Sequence, residues 1–147
     1  MATLFRPNVT VKALNNDLSQ DSLSGYLKMR FLEITDHSLS AGITIERFHT
    51  RPGNIMSGGT TLALIETVGS VAGMLTIDPT THNVFGIEVS ANHISQVPLG
   101  ESIIATAEPD HVGRTTQVWQ VRIKNSKDKL VCVGRITLFV AQRKNVI

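Results

Sequence analysis

From Ser57 to Leu75 the chain reads SGGTTLALIETVGSVAGML, and Glu66 is the one charged side chain in that largely apolar run. An unpaired carboxylate in apolar surroundings is costly, so such a group is neutralised, hydrogen-bonded or used in chemistry. In chemistry it acts as a general base towards water or as a nucleophile at a carbonyl. The same run opens on Gly58 and Gly59. At a helix start the N–H groups are unpaired and the dipole is positive, and glycine permits close approach, so the pair can polarise a carbonyl. Tight packing also accounts for glycines there, and a hydrogen bond in an interface also accounts for Glu66.

Glu66 lies eight residues beyond Gly58. That is about 12 Å of helix at 1.5 Å per residue, too far for both to act on one carbonyl. Two antiparallel helices meeting across a dimer interface would bring Glu66 of one subunit to Gly58 of the other. A homodimer, and pairs of dimers as a homotetramer, are therefore expected. Ser57 at the helix start either caps free N–H groups or touches a substrate. Arg51, in the loop sequence HTRPGNIM, either holds an anionic ligand group or is solvated. His111, Gly113, Arg114, Thr115 and Thr116 in HVGRTT suit phosphate oxygens, or form a polar hairpin turn. His37, His49 and His82 lack metal-ligand spacing and Cys132 lies in an apolar stretch, so no metal is expected.

The elements that must position these groups follow from pattern. A chain of 147 residues, 41% hydrophobic and 18% charged, suits one globular domain over 1–147. Fourteen basic against twelve acidic residues, with no basic cluster, argue against nucleic acid as a partner. A single cysteine excludes an intrachain disulfide, and MATLFRPNVTVK lacks a secretory apolar core, so a cytoplasmic location is expected. Glu66, Gly69, Ser70 and Gly73 interrupt the longest apolar run, which reads as a helix buried in protein and not in a membrane.

Residues 1–26 form an N-terminal segment with a short amphipathic helix in LNNDLSQDSLSGYL, Asp17 or Ser19 as its cap and Gly25 as its stop. YLKMRFLEITDHSLSAGITIERF alternates about a polar TDHS turn and predicts a hairpin; HTRPGNIM, with Pro52 and Gly53, predicts a loop. Four long strands follow in VFGIEVSANHIS, ESIIATAEPDHV, TTQVWQVRIKN and KLVCVGRITLFVA, joined after the first by turns at Pro98 to Gly100, Val112 to Arg114 and Asn125 to Asp128. Six antiparallel strands and one long apolar helix give an α+β fold in which the sheet curls around the helix.

Arg51 to Gly73, together with FGIEVSANH and HVGRTTQVW, resembles the hotdog-fold acyl-CoA thioesterases. Within these the resemblance is to the PaaI-like group with the aryl-CoA and 1,4-dihydroxy-2-naphthoyl-CoA thioesterases, and it covers roughly Leu39 to Val140. Glu66 in ALIE matches the family's catalytic acid, and Pro52, Gly58 and Gly59 match the loop and helix start. Arg51 stands where glutamine is usual and Ser57 where histidine is usual. The resemblance implies an acyl-CoA substrate, CoA being part of that substrate and no other cofactor. It also implies Thr67 and Ser70 orienting water or lining the acyl pocket, although helix packing explains both. Gly86, Asn92 and His93 would lie against the acyl and pantetheine parts, and HVGRTT would meet the CoA phosphates. Two other readings remain: a binding module in which Arg51 and Ser57 have weakened hydrolysis, and a hotdog dehydratase using His49.

Overall fold

The computed structural model describes residues 3–17 and 21–143. Its N-terminal segment holds α1 (Val11–Asp17) and a single turn, α2 (Leu23–Tyr26). This differs from the one helix expected there. Asp17 ends α1, Ser22 caps α2 by accepting from the Gly25 N–H at 3.1 Å, Gly25 lies inside that turn, and Ser19 falls outside the described residues.

The predicted hairpin is β1 (Arg30–Ile34) and β2 (Leu39–Thr44). Beyond a 3-10 turn at Arg47–His49, the stretch expected as loop is itself a small hairpin, β3 (Thr50–Arg51) and β4 (Ile55–Met56). Gly53 and Asn54 take φ of 94° and 57° in its turn, a conformation glycine and asparagine accept at low cost. The hairpin feeds α3 (Gly58–Leu75), and β5 (His82–His93), β6 (Ser102–Val112), β7 (Thr116–Asn125) and β8 (Leu130–Gln142) follow.

The six long strands form one antiparallel sheet in the order β1-β2-β6-β7-β8-β5. Leu64, Ile65, Val68 and Ala72 on α3 meet the period-two inner faces of β7 and β8, among them Trp119, Val121, Ile136 and Leu138, all fully buried. Each such aliphatic or aromatic side chain contributes about 1.5–3 kcal/mol by leaving water. A Cβ at Gly69 would overlap Ile136, and one at Gly73 would overlap Leu138, so the helix seats on the sheet because those positions are bare. By length and composition α3 could cross a membrane; the wrapped sheet accounts for its apolarity, half of it being buried there.

The site depends most on β5. It pairs with β8 along one side, from His82↔Gln142 to His93↔Cys132, and it ends the sheet. Phe85 and Ile87 are more than half exposed on it, and a bulge falls between Gly86 and Glu88.

Candidate active site

Two groups of side chains lie along α3 where it passes β5. The first is at the helix start. Ser57 is the N-cap, its Oγ accepting from the Gly59 N–H at 3.3 Å, while the Gly58 N–H makes no hydrogen bond among the described residues. The His93 ring, at the end of β5, lies against Gly58: a Cβ there would stand 3.1 Å from Cε1 and 3.2 Å from Nε2. His93 Nε2 is 2.8 Å from Thr61 Oγ1, and that hydroxyl donates to the Gly58 carbonyl at 2.9 Å. Arg51, Gly58, His93, Gln96 and Val97 line a cleft of about 280 Å³. Arg51 is exposed, and its Nη1 donates to the neighbouring Pro52 carbonyl at 3.3 Å. A Cβ at Gly59 would meet Ser57 Oγ at 3.6 Å, an ordinary contact.

The second group centres on Glu66, which is half-buried. Ser70, one helical turn on, donates to Glu66 Oε1 at 3.3 Å. The carboxylate lies over Gly86 of β5 so closely that a Cβ there would overlap Oε1. Glu66 makes no ion pair among the described residues. It is a carboxylate held against the edge strand of the sheet. Thr67 is not part of this group; a residue further round the helix, it turns to α2 and meets Ser24 Oγ at 3.5 Å. Asn92 is exposed on β5, next to His93.

HVGRTT forms the turn between β6 and β7, closed by the Gly113 N–H donating to the Thr116 carbonyl at 2.9 Å. His111 folds over Gly113, Arg114 and Thr115 are exposed, and the Thr115 carbonyl accepts from the Val140 N–H. Arg114 and Gly113 share a hollow of about 350 Å³ with Asp78, Thr81 and His82 at the C-terminal end of α3. Side-chain and backbone hydrogen bonds from Thr80 hold the exposed Asp78 carboxyl below its ordinary value. Within one chain this hollow is apart from both other groups: Thr76, on its wall, lies about 15 Å along the helix from Glu66.

Residues 53–132 match the family model described as the thioesterase superfamily. The chain belongs to that family. Among relatives, a putative esterase of Pasteurella multocida is 35% identical over 96% of this chain and 99% of its own. The 1,4-dihydroxy-2-naphthoyl-CoA hydrolase of Escherichia coli K12 is 32% identical over 91% of this chain and 96% of its own. The crystal structure of a mutant thioesterase from Pseudomonas aeruginosa, 30% identical, superposes with a TM-score of 0.92 over 96% of this chain and 100% of that one. The molecule is thus a hotdog-fold thioester hydrolase.

In this thioesterase His49 has a structural place. It is fully buried, its Nδ1 accepts from the Glu46 N–H at 2.9 Å, and its Nε2 donates to the Leu27 carbonyl at 2.8 Å. With both ring nitrogens engaged, it offers nothing to a substrate, and the dehydratase reading loses its histidine. Cys132 is also fully buried, and burial pushes its thiol above the ordinary value. Thr61, buried between His93 and Gly58, is the site neighbour that the sequence reading did not single out. Its one signal was its spacing, three residues after Gly58 and so on the same helix face.

Proposed function

We propose that this thioesterase hydrolyses an aromatic or medium-sized acyl-CoA to free acid and CoA, at sites shared between two subunits. The observation that carries the reading is the separation of the two groups along α3 and β5. Gly58 lies by His93 and Glu66 by Gly86, eight helical residues apart. The free edge of β5, twelve residues long with Phe85 and Ile87 exposed, suits antiparallel pairing with a second copy. Pairing centred near Val89 and Ser90 sets His93 opposite the partner's Gly86, and so brings Gly58 towards the partner's Glu66. Two such dimers would assemble as a tetramer, for which Leu32 and Ile104 offer exposed apolar side chains on other strands of the sheet.

In the shared site the thioester carbonyl oxygen accepts from the Gly58 N–H at the positive helix end, where negative charge develops. Glu66 takes a proton from water as the water oxygen bonds to the carbonyl carbon. The carbon–sulfur bond then breaks, and the proton goes to the departing thiolate. In the covalent variant Glu66 itself attacks the carbonyl, and water hydrolyses the resulting anhydride. Ser70 orients the carboxylate in either course. Arg51 lines the cleft beside the carbonyl, Ser57 caps the helix start next to it, and the hollow at Arg114 would receive the CoA phosphates. The relative named as a 1,4-dihydroxy-2-naphthoyl-CoA hydrolase supports an aromatic acyl group.

The test is thiol release over a panel of acyl-CoA esters by wild type and Glu66→Gln. The amide keeps the shape but cannot serve as base or nucleophile. Loss of turnover with fold and CoA binding retained is expected; a variant that keeps most of the wild-type turnover would remove Glu66 from the chemistry.

A further inference from the structure

The hydrogen bonds around Thr61 bear on which nitrogen of His93 carries its proton. A carbonyl oxygen can only accept, and the Thr61 hydroxyl donates to the Gly58 carbonyl at 2.9 Å, which leaves its oxygen as an acceptor towards His93. The 2.8 Å contact with His93 is then made by an Nε2–H donating to Thr61 Oγ1. The neutral ring is left with an unprotonated Nδ1, which makes no hydrogen bond among the described residues. His93 is exposed to the cleft that Gly58 and Arg51 line, whereas Thr61 has no exposed surface. The ring also fills the space that a Gly58 side chain would take, so its plane is set by the glycine as well as by the threonine.

We propose that Thr61 is a positioning residue that locks His93 as the Nε2–H tautomer, so that Nδ1 accepts a hydrogen bond from an amide N–H of the coenzyme arm of the thioester. The proposal rests on the shared-site reading above for the ligand's identity. The chemistry selects an N–H donor because Nδ1 is a lone-pair acceptor beside the one free N–H that polarises the carbonyl. The arm of a CoA thioester carries such amides whatever its acyl group, so this contact would recognise the class of substrate and leave acyl choice to the rest of the cleft. Attack by water belongs to Glu66 and needs no second acceptor here.

Nitrogen-15 NMR of the histidine ring tests the first half without turnover. Wild-type His93 should show a protonated Nε2 and a bare Nδ1, and Thr61→Val should yield a tautomer mixture while Thr61→Ser restores the wild-type pattern. Adding CoA should move the Nδ1 resonance in wild type. A wild-type Nδ1–H tautomer, or an Nδ1 resonance unmoved at saturating CoA, would overturn the proposal. The second half is read with two small thioesters of one acid, the N-acetylcysteamine ester, which has the amide, and the butanethiol ester, which lacks it. His93→Phe keeps a planar ring against Gly58 and has no ring nitrogen to accept. It and Thr61→Val should each reduce the preference in kcat/KM for the amide-bearing ester about tenfold, with Thr61→Ser near wild type. Equal losses on both esters would show a merely structural role. Absence of hydrolysis of every thioester by wild type would count against the shared-site reading, with the tautomer and CoA-titration results still deciding this one.

Discussion

Gly86→Ala separates the position of the Glu66 carboxylate from the stability of the fold. The new Cβ would overlap Glu66 Oε1 and stand 3.1 Å from Cδ and 3.2 Å from Oε2, all atoms at the far end of a flexible side chain. Gly86 does not use a positive φ, so alanine fits its backbone, and only the carboxylate must yield. Relief requires it to move by about 1 Å, a misplacement that costs on the order of 10²-fold in rate. That corresponds to about 2.7 kcal/mol of barrier. Stability should change by no more than about 0.5 kcal/mol. The comparison is Gly69→Ala, where the overlap is with Ile136 inside the core; there about 1–3 kcal/mol of stability should be lost, with turnover per folded molecule retained. The assay is steady-state thiol release with thermal unfolding of the same samples. Wild-type kcat in Gly86→Ala would refute the proposal that the Glu66 carboxylate over β5 is the reacting group.

Ser57→His, alone or with Arg51→Gln, should raise turnover on acyl-CoA esters by about tenfold, or 1.4 kcal/mol, because a longer donor beside Gly58 reaches the carbonyl. The same change removes the Ser57 cap on Gly59 and should cost about 1 kcal/mol of stability, read by denaturant unfolding; an unchanged rate on every ester would show that these positions do not touch the thioester. His49→Ala strips partners from the Glu46 N–H and the Leu27 carbonyl and leaves a void, so stability should fall by about 2–4 kcal/mol with kcat of the folded fraction unchanged. Cys132, buried and with its thiol pushed up, should resist a thiol-reactive disulfide reagent until the protein unfolds, which leaves released CoA as the signal in the rate assays; prompt labelling of folded protein would contradict its packing.

The central helix was legible because two signals coincide at its start and middle: Ser57 before paired glycines, and a lone Glu66 in an apolar run. The four long strands were legible from alternation, as in Trp119, Val121 and Ile123 turning inward between Val118, Gln120, Arg122 and Lys124. The N-terminal helices were not separable, since Ser22 and Asp17 are equally good boundary residues and only the chain's path over β1 decides between them. The β3–β4 hairpin was hidden by Pro52 and Gly53, which signal its turn and mask its two-residue strands. His49 misled because its partner, the Leu27 carbonyl, is 22 residues away and invisible to local pattern. Ser70 and Thr67 could not be told apart by composition, yet helical spacing favours Ser70, four residues from Glu66, and the hydrogen bonds follow that spacing.

The claim that each site takes Gly58 from one subunit and Glu66 from the other is tested most directly by mixing two inactive variants. Glu66→Gln lacks the carboxylate, and Gly58→Pro lacks the N–H. The backbone accepts proline at the first helical position, Ser57 before it already having φ −73° and ψ 142°, and the proline ring would press only on His93, which belongs to the site this variant disables. In an equal mixture with complete subunit exchange, half the dimers are mixed and each has one intact site of two, so about a quarter of wild-type activity should return. No activity above the two separate variants, with exchange confirmed by mass, would contradict a site built across two subunits.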